Sequence, residues 1–325
     1  MVNLGSLLNL PQLEENLNRV ENALLGSVNS EDPFLTEVAG HLVRAGGKRL
    51  RPALAVAAAG TVQTDISDDV IRGGVSVELV HLGSLYHDDV MDEATIRRGV
   101  ESVNARWGNL VAIVAGDFLL ARASELAAGL GTEVAQLLAA TIGRLCEGQV
   151  TELRTAYDVT RSEEAYLASI AGKTAALMAA SARIGALAAG ADRADIDALT
   201  AFGQAFGMVF QMVDDVLDVV GTEESLGKPA GHDLVEGVYT LPTIRALAEP
   251  DAGGDLRAIL GRPLEEPERD KARSIVRSSD GVASTLDAAR RWADKAANAV
   301  SHLGKAGAEL APLGHRLLDT VPLAR

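Results

Sequence analysis

The sequence predicts an all-α protein organised as one domain over residues 1–325, and three observations carry that expectation. Alanine-rich apolar segments at helical spacing run almost from end to end, no β-branched alternation lasts long enough for a sheet, and no Ser/Pro-rich linker divides the chain. Hydrophobic residues make up 47% of the chain but aromatics only 3%, so the core must be built from Ala, Leu, Val and Ile, which suits closely approaching helices.

In chain order, residues 11–44 predict two helices broken around Gly26 to Pro33, with Asp32-Pro33 as a cap and first-turn proline. Next comes Gly46-Gly47-Lys48-Arg49-Leu50-Arg51-Pro52, where paired glycines can expose backbone N–H groups among cations and Pro52 can open a helix. The stretch reads either as an anion-binding turn or as an ordinary basic loop. Asp65 to Asp69 stands just before a helix, where acids cap and complement the dipole, and is assigned no chemistry.

A helix over 70–93 then ends in His87-Asp88-Asp89-Val90-Met91-Asp92, followed by Arg97-Arg98-Gly99. At about 100° per residue, Asp88 and Asp92 lie within roughly 40° of each other, one turn apart, with Asp89 about 100° round. Unpaired acids so close resist burial unless a cation compensates. Mg2+ suits them, because it takes one or two carboxylates and leaves its other positions to water and phosphate oxygens. His81 and Val77 lie within about 20° of the Asp88 direction and Ser84 within about 40°. His81 is therefore either a satisfied core histidine or part of the same site.

Residues 107–130 predict another helix, in which Asp117 is an acid supporting the site or an acceptor between helices. Gln149 and Glu152 read as buried hydrogen-bonding groups. Near 163–189, Lys173-Thr174 interrupts an Ala/Leu/Met face, and a buried lysine with a neighbouring hydroxyl allows a phosphate contact. The helix over 199–220 repeats the earlier spacing, with Gln211 ahead of Asp214-Asp215-Val216-Leu217-Asp218. Gly203, Gly207, Asp214 and Asp218 lie within about 40° of one line, so the glycines are expected to clear space beneath the acids. Phe202, Phe206 and Phe210 read as core, Lys228 stands alone in a Gly/Pro loop, and residues 250–325 add amphipathic helices without a chemical constellation.

A formal charge of −15 argues against general nucleic-acid binding, while local basic clusters at 44–51 and 97–98 fit small anions. Cys146 is alone, so no intrachain disulfide forms and a cytoplasmic setting is expected. No leader is read at residues 1–10, and no membrane span is expected because charges or glycines interrupt every long apolar stretch. Two DDxxD motifs facing each other would hold Mg2+ ions bridging a diphosphate, with Lys173, Lys228 and Arg97 at the sides. A second anion would sit on Lys48, Arg51, His81 and Arg98, and an apolar groove would take a hydrocarbon tail.

From about Phe34 onward the chain resembles trans-isoprenyl (polyprenyl) diphosphate synthases of the long-chain bacterial type. The likeness rests on GGKRLRP (46–52), ELVHLGSLYHDDVMDEATIRRG (78–99), GDFLL (116–120), GKT (172–174), FQMVDDVLD (210–218), GKPAGHDL (227–234) and EGVYTLP (236–242). The resemblance implies a helical bundle around a central cavity, a homodimer, and Mg2+-dependent head-to-tail condensation of isopentenyl diphosphate with an allylic diphosphate. It implies Lys48, Arg51, His81 and Arg98 as isopentenyl diphosphate ligands, and Arg97, Lys173, Thr174, Gln211 and Lys228 as allylic diphosphate ligands. Asp88, Asp92, Asp214 and Asp218 are the implied metal ligands, with Asp89 and Asp215 counted among the catalytic acids. One departure is Val238, where many members have lysine.

Short-chain members resemble this pattern but carry bulky aromatics where this chain has Ser84 and Gly83. With Val80 and Val77 deeper on the helix, the tunnel is expected to be open, giving a product of roughly C30 to C50 if each turn of about 5.4 Å admits one unit. The resemblance further implies a quinone side chain, most readily menaquinone, with release of the product at a membrane surface. The alternatives are a farnesyl or geranylgeranyl diphosphate synthase, a class I terpene cyclase, and a regulatory subunit of a heteromeric synthase, which would typically lose its Asp motifs.

Overall fold

The structure, a computed structural model, describes residues 12–222 and 230–322. Helices α1 (Leu13–Ser27), α2 (Pro33–Ala39) and α3 (His41–Arg44) show the expected break, and Asp32 caps α2 by accepting from the Phe34 N–H at 2.8 Å. Helix α4 (Leu50–Ala59) starts two residues before Pro52, which therefore sits in the first turn, where its missing N–H costs nothing. The long α5 (Asp68–Met91) is capped by Ser67 rather than by an acid, with Asp68 and Asp69 in its first turn facing the dipole. Asp92 occupies the C-cap, so the helix ends within the acidic motif.

A two-residue strand pair, β1 (Ile96–Arg97) and β2 (Val100–Glu101), follows and was not foreseen from the sequence. Arg98 and Gly99 form its turn with φ of 53° and 76°, the left-handed pair that matches the twist of a tight hairpin. Helix α6 (Val103–Trp107) is separated from α7 (Asn109–Gly129) by Gly108 at φ 88°. After α8 (Thr132–Arg154), α9 (Glu163–Ile170) runs through a single wide π-helical turn (Ala171–Ala175) into α10 (Ala176–Ala188). Helix α11 (Arg193–Val220) carries the second acidic motif in its final turns. The closing layer comprises α12 (His232–Val235), α13 (Leu241–Ala248), α14 (Pro250–Arg257), α15 (Glu266–Ser278), α16 (Gly281–Ala299), α17 (Gly304–Leu310) and α18 (Leu313–Leu318).

Helix α10 packs against α4, α5 and α11 and so spaces the two acidic helices. Small residues make that approach close: a Cβ at Gly185 would lie 2.1 Å from the Ala55 carbonyl oxygen of α4. On α11, a Cβ would lie 2.7 Å from the Met178 carbonyl at Gly203 and 2.5 Å from the Ala175 Cα at Gly207. These two glycines therefore do not clear room beneath the acids, because the neighbouring backbone fills that room. Leu54, Leu79, Leu82, Leu119, Phe202 and Phe206 are fully buried, and each such side chain contributes about 1.5–3 kcal/mol of burial. The rings of Phe202 and Phe206 lie nearly parallel with centroids 6.0 Å apart.

Contrary to the expectation of no spanning stretch, α11 is long and apolar enough to cross a membrane by length and composition. Its packing against α10 and α16, and the acids in its last turns, mark it as a core helix. The apolar α7 buries Ala112, Ala115 and Leu119 but leaves Leu110 (81%), Ile113 (41%) and Val114 (60%) exposed.

Candidate active site

The first acidic limb is the C-terminal end of α5. Asp88 is half-buried, and burial raises its carboxyl above the ordinary range, with Lys173 and Arg97 pulling it back. Asp92 is pushed up to about 6 by desolvation and by the negative charge of Glu236. Opposite them, Lys173 Nζ lies 2.6 Å from Glu152. Burial works against the ammonium, but Glu152, Asp88 and Asp92 outweigh it and raise its pKa. Glu152, read from the sequence as an ordinary buried hydrogen-bonding group, is thus the anchor of that lysine. Asp89 is 0% exposed and accepts from Arg97 Nε at 2.7 Å and Nη2 at 2.5 Å. Its buried carboxylate holds Arg97, a contact that the sequence did not reveal.

The second limb is the end of α11, where Asp214 is exposed. Asp215 is buried: Tyr166 Oη donates to its Oδ2 at 2.5 Å and Gln211 Nε2 to its Oδ1 at 2.9 Å. Thr174 Oγ1 in turn donates to Gln211 Oε1 at 2.7 Å, so one chain of hydrogen bonds links α9, the π turn and α11. Burial pushes the Asp215 carboxyl up to about 7. With both oxygens engaged it orients Gln211 and Thr174 rather than touching a bound group. Asp218 is 5% exposed and accepts from the Asp233 N–H at 3.2 Å, which ties it to the start of α12.

Lys173 and Thr174 sit on the π turn, and a tight crossing holds that turn in place. A Cβ at Gly148 of α8 would lie 2.5 Å from the Lys173 amide nitrogen, and one at Gly172 would lie 2.7 Å from the Arg144 carbonyl oxygen. Single wide turns recur at functional sites because they re-aim side chains within a helix.

The basic residues converge beside the acids. Burial lowers the Lys48 ammonium, and Asp214 opposes that shift, which places the GGKRLRP loop across from the second motif. Burial lowers the Arg51 guanidinium to about 10, and among the described residues its Nε has no hydrogen-bond partner. His81 is driven well below the ordinary imidazole range by burial and by Arg51, Arg98, Arg97 and Arg49, so it is neutral at neutral pH. Arg98 Nη1 donates to the carbonyls of Leu42 and Gly46. Arg49 is committed elsewhere, to Glu21 at 2.7 and 2.9 Å and to Glu78 at 3.0 Å.

Other expectations change. Lys228 lies outside the described residues. Asp117 is exposed, 3.4 Å from His87, and so bridges α7 and α5 at the surface. A Cβ at Gly83 would meet the Gly116 carbonyl at 3.0 Å and Leu120 at 3.2 Å, so this position faces α7 rather than a tunnel. Val77 and Val80 are 0% and 1% exposed and belong to the packed core. Ser84 is half-buried and, of the expected chain-length positions, is the one outside the packed core, with its hydroxyl donating to the His81 carbonyl at 2.9 Å.

Residues 32–277 match the family model described as polyprenyl synthetase. The chain belongs to that family. It is 41% identical over 285 residues to the heptaprenyl diphosphate synthase component 2 of Geobacillus stearothermophilus, covering 87% of this chain and 88% of the relative. It is 38% identical over 298 residues to the nonaprenyl diphosphate synthase of Mycobacterium tuberculosis, covering 91% and 89%. The crystal structure of a Caulobacter crescentus polyprenyl synthase complexed with calcium and isoprenyl diphosphate superposes with a TM-score of 0.85 at 35% identity, covering 93% of this chain and 94% of that one. This polyprenyl synthetase is accordingly a prenyltransferase.

Proposed function

We propose that the chain joins isopentenyl diphosphate head-to-tail to an allylic diphosphate with Mg2+ and makes a long all-trans product. The observation that carries this reading is two kinds of charged site side by side: Lys173 held among Glu152, Asp88 and Asp92, and Arg51 and Arg98 gathered around His81. Among the described residues no three His, Cys, Asp or Glu side chains converge as a complete metal cage. Mg2+ takes one or two carboxylates and completes its shell with phosphate oxygens and water. The donors fit: Asp88 and Asp92 are hard oxygen ligands whose pKa values burial and neighbouring negative charge raise, a penalty that a cation relieves.

When bound, the ion neutralises charge on the departing diphosphate. Lys173, Thr174, Gln211 and Arg97 hold that diphosphate in place, together with Lys228. Lys48, Arg51, His81 and Arg98 hold isopentenyl diphosphate so that its alkene lies against the allylic carbon. The allylic C–O bond breaks with its electron pair going to diphosphate, the alkene π pair forms the new C–C bond, and a proton leaves to a diphosphate oxygen. Electrostatic stabilisation of the leaving group by prearranged cations supplies most of the acceleration.

The names of the heptaprenyl and nonaprenyl relatives support a product of roughly C30 to C50, at about one unit per 5.4 Å turn. The exposed Leu110, Ile113 and Val114 of α7 with Val150 and Leu153 of α8 support a homodimer. The product would serve as a quinone side chain, formed in the cytoplasm and released at a membrane surface. The relative described as a component favours a second reading, that activity needs another subunit. Incubating the purified chain with Mg2+, labelled isopentenyl diphosphate and farnesyl diphosphate, then resolving the prenyl alcohols, tests both. Long-chain alcohols from the chain alone are expected, and their absence would favour the two-component reading.

A further inference from the structure

At the centre of the basic cluster stands an acid to which the reaction above gives no role. Glu78 on α5 is 1% exposed, and its Oε1 accepts from Arg49 Nη1 at 3.0 Å and lies 3.8 Å from Arg98 Nη2. Its Oε2 is buried without a hydrogen-bond partner among the described residues, as is Arg51 Nε, and Glu78 is the leading opposite charge acting on Arg51. A buried carboxylate is costly unless several cations compensate it. Here Arg49, Arg51 and Arg98 stand with Glu21 and Glu78 beside a neutral His81, three positive charges against two negative. Glu21 sits at the outer side on α1, half-exposed, and serves Arg49 alone of these cations by direct contact. Glu78 instead reaches Arg49 and Arg98 directly and acts on Arg51 by its charge.

We propose that Glu78 is the positioning residue of the basic site, assembling Arg49 and Arg98 beside Arg51 before any anion arrives without itself binding substrate. The inference rests on the reading of this cluster as the isopentenyl diphosphate site. Two roles for a carboxylate here predict opposite signs. As a bare negative charge near a diphosphate it repels, and its removal tightens binding. As an organiser it offsets in advance the cost of crowding guanidinium groups in a low-dielectric interior, and its removal loosens binding.

The test is calorimetric titration of the full-length, EDTA-treated protein with inorganic diphosphate, together with steady-state kinetics. Glu78→Gln keeps the shape and an acceptor for Arg49 but removes the charge. It is expected to weaken inorganic diphosphate by about tenfold or more, as truncating a buried charge network does. It should raise KM for isopentenyl diphosphate in parallel and leave KM for the allylic substrate unchanged. Unchanged or tighter binding, or a parallel rise in both KM values, would overturn the proposal. Glu78→Asp is the second variant should Glu78→Gln not fold. It keeps the charge but shortens the reach to Arg49 by one methylene, so affinity drops if the array is organised through the Glu78 contact at 3.0 Å, and wild-type affinity overturns the idea. Failure of the unmodified protein to bind inorganic diphosphate would instead remove the site reading itself, and this inference with it.

Discussion

Gly148→Ala tests whether the crossing of α8 with the π turn sets the reactive geometry. The added Cβ would stand 2.5 Å from the Lys173 nitrogen, 2.9 Å from the Ser169 carbonyl oxygen and 3.0 Å from the Gly172 carbonyl carbon. All three are backbone atoms, so no flexible side chain can yield. Restoring an ordinary contact near 3.5 Å requires the two segments to separate by about 1 Å. Overpacking of this kind costs about 1–3 kcal/mol of stability. The larger effect falls on activity, because Lys173 (2.6 Å from Glu152) and Thr174 (2.7 Å from Gln211) move with the turn. A displacement of about 1 Å at a reacting group costs on the order of 100-fold. Thermal melts and kcat/KM for the allylic substrate measure the two losses. Gly143→Ala, on the same helix with nothing within 4 Å of its would-be Cβ, is the control and should gain about 1 kcal/mol from helix propensity. Wild-type kcat/KM in Gly148→Ala would refute the reasoning.

Three further outcomes are expected. Asp88→Ala and Asp214→Ala should each lower turnover by at least about 100-fold, whereas Asp68→Ala, which removes an exposed pair with Arg19 at 2.7 Å, should leave it unchanged; equal losses in a product assay would show the acids to be misassigned. Ser84→Phe should shorten the product in chromatography of the prenyl alcohols, and an unaltered length would mean that the floor lies elsewhere. In EDTA, Asp92 and Asp215 have folded pKa values of about 6 and about 7, above the unfolded value near 3.9, so the folded state binds these protons more tightly. Their contribution is present below about pH 4 and lost as pH rises through 6 to 7, while the depressed His81 contributes with the opposite sign and loses its share below about pH 6.5. The rise in Tm on adding Mg2+ should therefore grow from pH 5 to pH 8, and a rise independent of pH would contradict the assignment of the acids.

The helical class and the two acidic motifs are readable from the chain because they depend on local period and composition. The features that escaped reading depend on what lies across a contact. Periodicity gave the direction of Gly83, Gly203 and Gly207 but not the backbone that each one meets, so space was inferred where a neighbouring helix stands. Glu78, Glu152 and Tyr166 look like ordinary helix residues, and their partners are 29, 21 and 49 positions away. The π turn had no signature apart from Gly172, and the hairpin at 96–101 is too short for alternation to register. Asp68 and Asp69 stand in the first turn of α5, where a polar setting ahead of an apolar run places them.

The hairpin turn also fixes a length. Arg97 is held by Asp89 beneath the first acidic motif, whereas Arg98, the next residue, lies among the carbonyls and carboxylate of the basic cluster. Adjacent Cα atoms across a trans peptide are about 3.8 Å apart whatever the packing does. The gap between the two anion-facing sides of the cleft is therefore spanned by one covalent unit, and helix movements of a few tenths of an ångström leave that rung unchanged. Inserting a single residue there would alter the spacing of two bound head groups without touching any side chain that contacts them.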